Sequence, residues 1–159
     1  MIKLEFVCDL DSAAGYAAHA RSMLKAFHSL ELESKGIELK VIARRKDASV
    51  VEMTDDEIEL YNHYLGKEIG KPDVRVFFEP AQWAHFEEGV KTVIFCQWET
   101  TKIRNYPHAG KAQNNWVSQF NAADAVMTSA ASAKRAYVYS GVKKPIFVVP
   151  GPVFPLSTQ

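Results

Sequence analysis

Short apolar runs rich in β-branched and aromatic residues alternate with stretches of helical spacing along the chain, and this alternation constrains the fold more than any other feature. Residues 2–7 form the first run, which ends at Cys8-Asp9-Leu10-Asp11-Ser12. Residues 13–32 follow as a predicted helix, with Ala17, Ala20, Leu24, Phe27 and Leu30 at helical spacing. Gly36 stops that helix, and residues 37–42 read as a second strand with Ile37, Leu39 and Val41 on one face. One strand-helix-strand unit is then complete.

Residues 43–71 are polar, with a helical island over 55–65 that has Thr54 as its N-cap, and the whole stretch reads as peripheral. The runs 74–78 and 91–96 are short and apolar, as strands covered on both faces tend to be. A helix is predicted over 111–121, carrying Trp116 and Phe120, and a strand over 125–128. Ser129 is expected to cap a helix that runs through Tyr139 and ends at Gly141; the last strand, 146–149, runs into Pro150-Gly151-Pro152. Strands that alternate with helices imply a mainly parallel sheet with right-handed crossovers. The fold expected is α/β, a Rossmann-like three-layer sandwich over residues 1–152, with 153–159 as a linker or tail.

The 159 residues suffice for one core and not for two α/β layers side by side. Nineteen basic and nineteen acidic residues cancel, so the chain has no basic field for non-specific nucleic acid binding. No stretch approaches the ~20 apolar residues of a membrane span, and the N-terminus begins a strand where a signal peptide would carry its apolar segment. A cytoplasmic protein is expected. Cys8 and Cys96 each end an apolar run, without Cys or His at metal-ligand spacing, and read as buried thiols.

In an open parallel sheet, ligands bind beyond the carboxyl ends of the strands, so the loops after each strand carry the functional information. Gly15 stands at the turn into the first long helix, followed by Tyr16 and Arg21. A glycine there lets a ligand approach the backbone, and a helix N-terminus offers unpaired N–H groups to an anion; a helix-entry glycine without a ligand is the alternative. The three-glycine dinucleotide fingerprint is absent, which disfavours a nicotinamide or flavin domain. Gln97-Trp98-Glu99-Thr100-Thr101 follows the run ending at Cys96. An aromatic face can cover the apolar side of a pyranose while a carboxylate accepts its hydroxyl protons; Trp98 packed under the loop and Glu99 capping a helix is the other reading.

Two further segments complete a pattern: Asn121-Ala122-Ala123-Asp124 leading through the strand to Ser129, and Ser140-Gly141-Val142 leading to Val149-Pro150-Gly151. Together with the Trp-Glu-Thr segment, their order and spacing resemble the N-terminal, acceptor-side domain of glycogen-phosphorylase-like, family-four retaining glycosyltransferases of GT-B architecture, over residues 2–154. The resemblance implies a single GT-B half-domain, a UDP- or GDP-sugar as donor with no tightly bound cofactor, and a C-terminal donor-binding domain in cis or in trans. It places Gly15 beside the donor diphosphate, with Tyr16, Ser129 and Gly151 as further donor-binding residues. Glu99 is then the candidate catalytic group near the sugar, with Trp98, Thr100 and Arg21 on the substrate side. The chain departs from the family in having Gln97-Trp98-Glu99 where many members place a histidine, and Pro152-Val153-Phe154 where the exit loop usually reads Gly-Val-Asp.

His85, after the run 74–78, is the best general-base candidate among the histidines; His19 and His108 read as solvated or packed. A non-catalytic Rossmann-like binding or interaction module is the competing function, and a hydrolase is disfavoured because no nucleophile elbow is present. An uncovered, apolar or mobile crevice face and self-association through it are expected under either leading reading.

Overall fold

The computed structural model describes residues 1–12, 15–44 and 53–152. The first half contains β1 (Ile2–Cys8), α1 (Gly15–Ser29), β2 (Ile37–Ala43), α2 (Asp55–Leu65) and β3 (Val74–Phe78). The second contains β4 (Lys91–Phe95), α3 (Trp116–Ala122), β5 (Ala125–Thr128), α4 (Ala131–Tyr139) and β6 (Ile146–Val148). All six strands are parallel and lie in the order β2-β1-β3-β4-β5-β6. The architecture is a Rossmann-like three-layer sandwich.

Alternation along the strands fills a core on each face of the sheet. Phe6, Cys8, Leu39, Val41, Phe78 and Phe95 point to the side covered by α1 and α2, where they meet Leu24, Tyr61 and Tyr64. Val7, Phe77, Ile94 and Val126 point to the other side, against Phe120 of α3 and Tyr137 of α4. Each such buried side chain stabilises the fold by about 1.5–3 kcal/mol relative to leaving it in water. The sheet grows from β1 to β2 in one direction and from β1 to β3 in the other, so the chain reverses its winding between β1 and β3. That is where the helices change face.

Sequence signals account for several boundaries. Thr54 caps α2 through the Glu57 amide while the Glu57 carboxylate takes the Thr54 amide, a reciprocal pair of the kind worth about 1 kcal/mol. Gly36 at φ +79° and Gly141 at φ +100° take the left-handed turns that follow the first helical region and α4. Elsewhere the structure corrects the expectation. The predicted helix over 111–121 is a 3-10 turn at Ala112–Asn114 followed by the shorter α3, because the Asn115 side chain accepts from the Ser118 amide and starts a new helix there. Ser129 does not cap α4, whose N-cap is Ala130 without a side-chain bond; the Ser129 hydroxyl turns to Gln97 instead. The stretch expected to be peripheral contributes α2, which buries Tyr61 and Tyr64 against the sheet. Residues 13–14, where the first helix was expected to begin, the 45–52 part of the polar stretch and the 153–159 tail lie outside the described residues.

The connection from β3 to β4 holds no α-helix, only a 3-10 turn at Ala81–Trp83. Beneath it the sheet carries a charged pair in place of apolar side chains. Glu5 of β1 and Arg75 of β3 are register partners, both buried, and their side chains form an ion pair. Glu87 closes over the pair, its Oε2 3.0 Å from Arg75 Nη2. A buried cation with two carboxylate partners is tolerated where a lone one is not.

Candidate functional site

Because the strands are parallel, the residues that follow them all emerge at one end of the sheet. Asp9 after β1 organises its own loop: its carboxylate accepts from the Asp11 and Ser12 amides at 3.2 and 3.3 Å and from the Ser12 hydroxyl. Arg21, expected on the substrate side, braces that loop from below, donating to the Leu10 and Ser12 carbonyls at 2.7 and 3.1 Å. Gly15 opens α1 and is exposed; a Cβ built on it would meet no described atom within 4 Å, and its φ is not positive. Among the described residues, neither internal packing nor backbone strain asks for glycine at this position.

Gln97, the residue directly after Cys96, is the hub of the crevice. Its amide donates to the Tyr16 hydroxyl at 2.8 Å, and that hydroxyl lies 3.2 Å from both the Gln97 carbonyl and Cys96 Sγ. Its side-chain oxygen accepts from Ser129, and its side-chain nitrogen lies 3.4 Å from His19 Nδ1. The His19 ring packs edge-on against Phe78 and Phe95 at 4.9 and 6.0 Å. Its Nε2 is buried with no hydrogen-bond partner among the described residues. Gly151 passes over that nitrogen so closely that a Cβ there would sit 2.5 Å from it. Tyr16, Ser129 and Gly151, expected as donor-binding residues, thus gather with His19 around one glutamine.

The groups at this hub are held neutral. Burial lowers the His19 pKa below the ordinary histidine value. Burial likewise raises Tyr16 far above the ordinary phenol range, with the neighbouring Cys96 adding to it. Burial also pushes the Cys96 thiol up to about 11. The Tyr137 hydroxyl donates to the Cys96 carbonyl at 2.7 Å, so the end of β4 is clamped by a tyrosine from each side of the sheet. Hydroxyls and an amide suit a neutral polar ligand, and Cys96 as a thiol offers no nucleophile at neutral pH.

His85 lies on the other side of the winding reversal. Arg44 Nη2 is 2.8 Å from its Nδ1, Arg75 Nη1 is 3.3 Å from its Nε2, and its ring stands edge-on to Phe77 at 4.8 Å. A guanidinium only donates, so the nearer contact fixes Nδ1 as the acceptor and puts the neutral ring's proton on Nε2. Burial first, then the Arg44 and Arg75 charges, lower the His85 pKa. Its lone pair is committed to Arg44, which weighs against the expected general-base role. Arg44 also pairs with the buried Glu79 at 3.3 Å, and these two with Asp9 and Trp83 line a cavity of about 190 Å³ at the winding reversal.

The segment after Gln97 lies apart from the hub. Trp98 packs on Trp116 with ring centroids 4.8 Å apart and donates from its indole to the Lys102 carbonyl at 2.8 Å. Thr100 donates to the same carbonyl at 3.0 Å. No helix follows Glu99 for it to cap; its exposed carboxylate borders a cavity of about 530 Å³ shared with α4. Among exposed large apolar residues Trp83 and Val148 lie at the crevice end, but Ile2, Leu30 and Ile58 lie elsewhere, so apolar exposure is not special to that face.

The fold makes central two residues to which the sequence assigned no site role, Gln97 and His19, the latter packed as one of its two readings had it. The position of Gln97, first after a central strand, was the available signal; nothing in the sequence tied His19 to Gly151. Among the described residues no group of three or more His, Cys, Asp or Glu could hold a metal ion, and no helix is long and apolar enough to cross a membrane. Comparison of the chain with protein-family models, with curated proteins and with solved structures finds no match in any of the three.

Proposed function

We propose that the chain is the acceptor-side half of a nucleotide-sugar-dependent retaining glycosyltransferase of the GT-B kind, working with a C-terminal donor-binding domain supplied in cis or in trans. One observation carries the reading. Four remote segments on which the sequence resemblance rests, around Tyr16, Gln97, Ser129 and Gly151, come together at the carboxyl end of the sheet beside the start of α1. A leaving nucleotide diphosphate needs fixed positive character in a cleft closed from water. On this side it would come from the α1 backbone amides at Gly15, and the larger share from the donor half. The neutral hydrogen-bonding groups around Gln97 would face sugar hydroxyls, and Glu99 would lie toward the acceptor.

Gly15→Val tests the proposal cleanly, because no described atom crowds that position. UDP-, GDP- and ADP-sugars and the free nucleotides are screened by thermal shift, since a ligand that binds only the folded state raises its melting temperature. A selective shift in the native chain that disappears in Gly15→Val, at unchanged ligand-free stability, is the expected result. No shift with any nucleotide would count against a partial donor site. The committed lone pair of His85 favours a second reading, a non-catalytic binding module. That reading predicts binding without transfer even when a donor half is present.

A further inference from the structure

The cavity beside Glu99 has features that the proposed donor site does not use. Its volume of about 530 Å³ falls within the range of small-molecule sites. One wall is α4, on which Ser132, Arg135 and Tyr139 follow one another at helical spacing. The other wall is the loop from Trp98 to Lys102, and the two are tied at their base by the Ile103 amide, which donates to the Ser140 hydroxyl at 2.9 Å. The loop is stiffened from inside, since Trp98 and Thr100 both donate to the Lys102 carbonyl. The walls are therefore preformed.

The chemistry of the lining is specific. Tyr139 is 70% exposed, so aromatic surface is within reach of a ligand. Lys102 Nζ lies over that ring, 5.3 Å from its centre, which holds a cation against the aromatic surface. Arg135 adds a second cation one turn away, and among the described residues neither it nor Glu99 has a hydrogen-bond or ion-pair partner. Exposed aromatic surface suits the C–H face of a pyranose, and Glu99 with Ser132 suits its hydroxyls. Two cations on one rim, one of them a guanidinium, suit a phosphate monoester.

The geometry points to this cavity as a binding site for a phosphorylated sugar, with the pyranose on Tyr139, the phosphate between Arg135 and Lys102, and a sugar hydroxyl on Glu99. If the chain is a transferase half, this ligand is its acceptor; that assignment rests on the proposed function, whereas the binding does not.

The test is calorimetric titration of the full chain with glucose 6-phosphate, mannose 6-phosphate and N-acetylglucosamine 6-phosphate, against the unphosphorylated sugars and inorganic phosphate. At least one sugar phosphate should bind tenfold or more tightly than its sugar or inorganic phosphate. Arg135→Ala and Tyr139→Ala should each weaken that binding by tenfold or more. Both side chains are exposed, so both variants should melt as the native chain does. Gly15→Val should leave sugar-phosphate binding unchanged. Sugar phosphates that bind no better than inorganic phosphate, or equally well to Arg135→Ala and Tyr139→Ala, overturn the inference. Sugar-phosphate binding with no response to any nucleotide sugar supports the cavity and counts against only the partial donor site at Gly15.

Discussion

Replacing Gly151 by alanine asks whether the crevice is closed by contact or only by proximity. The φ of Gly151 is not positive, so an alanine can adopt its backbone conformation. With no steric conflict, such a change stabilises a protein by about 0.4–1 kcal/mol by narrowing the unfolded ensemble. Here the new Cβ would sit 2.5 Å from His19 Nε2 and 2.9 Å from Cε1. The ring has little room to retreat, with Phe78 and Phe95 behind it and Gln97 at its other nitrogen. Overpacking of this kind costs about 1–3 kcal/mol, which outweighs the entropic gain. For a chain of this size each kcal/mol moves the melting temperature by about 2–4 °C. A loss of several degrees is expected for Gly151→Ala in calorimetry. In a His19→Ala background the same substitution should become neutral or stabilising, so the sign itself reverses. A Gly151→Ala chain that melts at or above the native temperature, or a cost that persists without the imidazole, would refute the closure of the crevice by this contact.

Other substitutions probe the elements that position the site. Thr54→Ala should lose the reciprocal cap of α2 and about 1 kcal/mol in denaturant unfolding. Tyr137→Phe removes the buried donor to the Cys96 carbonyl and should cost about 1–3 kcal/mol by the same measurement. Arg75→Met leaves the buried Glu5 without its ion-pair partner and should cost about 3–5 kcal/mol, with the double variant Glu5→Leu/Arg75→Met recovering most of it. In a pH titration followed by NMR, the His19 and His85 imidazoles should take up their protons below the ordinary value of about 6.5. A depressed folded-state pKa means that the unfolded chain binds the proton first. Their contribution to stability is thus complete above about pH 6.5 and falls as pH drops through the folded-state values. His19→Gln should flatten that part of the stability profile.

Strand-rich and helix-rich stretches were legible in the sequence because each carries its own period. The boundaries of β3, β5 and α2 follow directly from Val74–Phe78, Ala125–Thr128 and the cap at Thr54. Failures came where a local signal had two physical uses. Ser129 has the right type and place for a cap, but its hydroxyl finds a side-chain acceptor on Gln97, a partner 32 residues away that no local pattern reveals. Lys111 to Asn121 has apolar residues at helical spacing, yet Asn115 offers a nucleation point inside it. The same limit applies to the site. Residue type marked Tyr16 and Gly151 as interesting, but their roles are set by Gln97 and His19, which become neighbours only once β1, β4 and β6 lie in one sheet.

The winding reversal between β1 and β3 has a consequence for a chain made in one direction by the ribosome. β1 and β2 are close in sequence and can pair with α1 as soon as Ala43 has emerged, which leaves the other edge of β1 without a partner. That edge, buried in the finished sheet, waits for Val74 to Phe78, roughly 35 residues later. At roughly 5–20 residues per second the wait is about 2–7 s. Throughout it Phe6 and Val7 would sit on an open parallel edge, a template for pairing between neighbouring nascent chains. Translation speed across the stretch between β2 and β3 is therefore a determinant of yield, and synonymous codons that slow it should raise the insoluble fraction without changing a single residue.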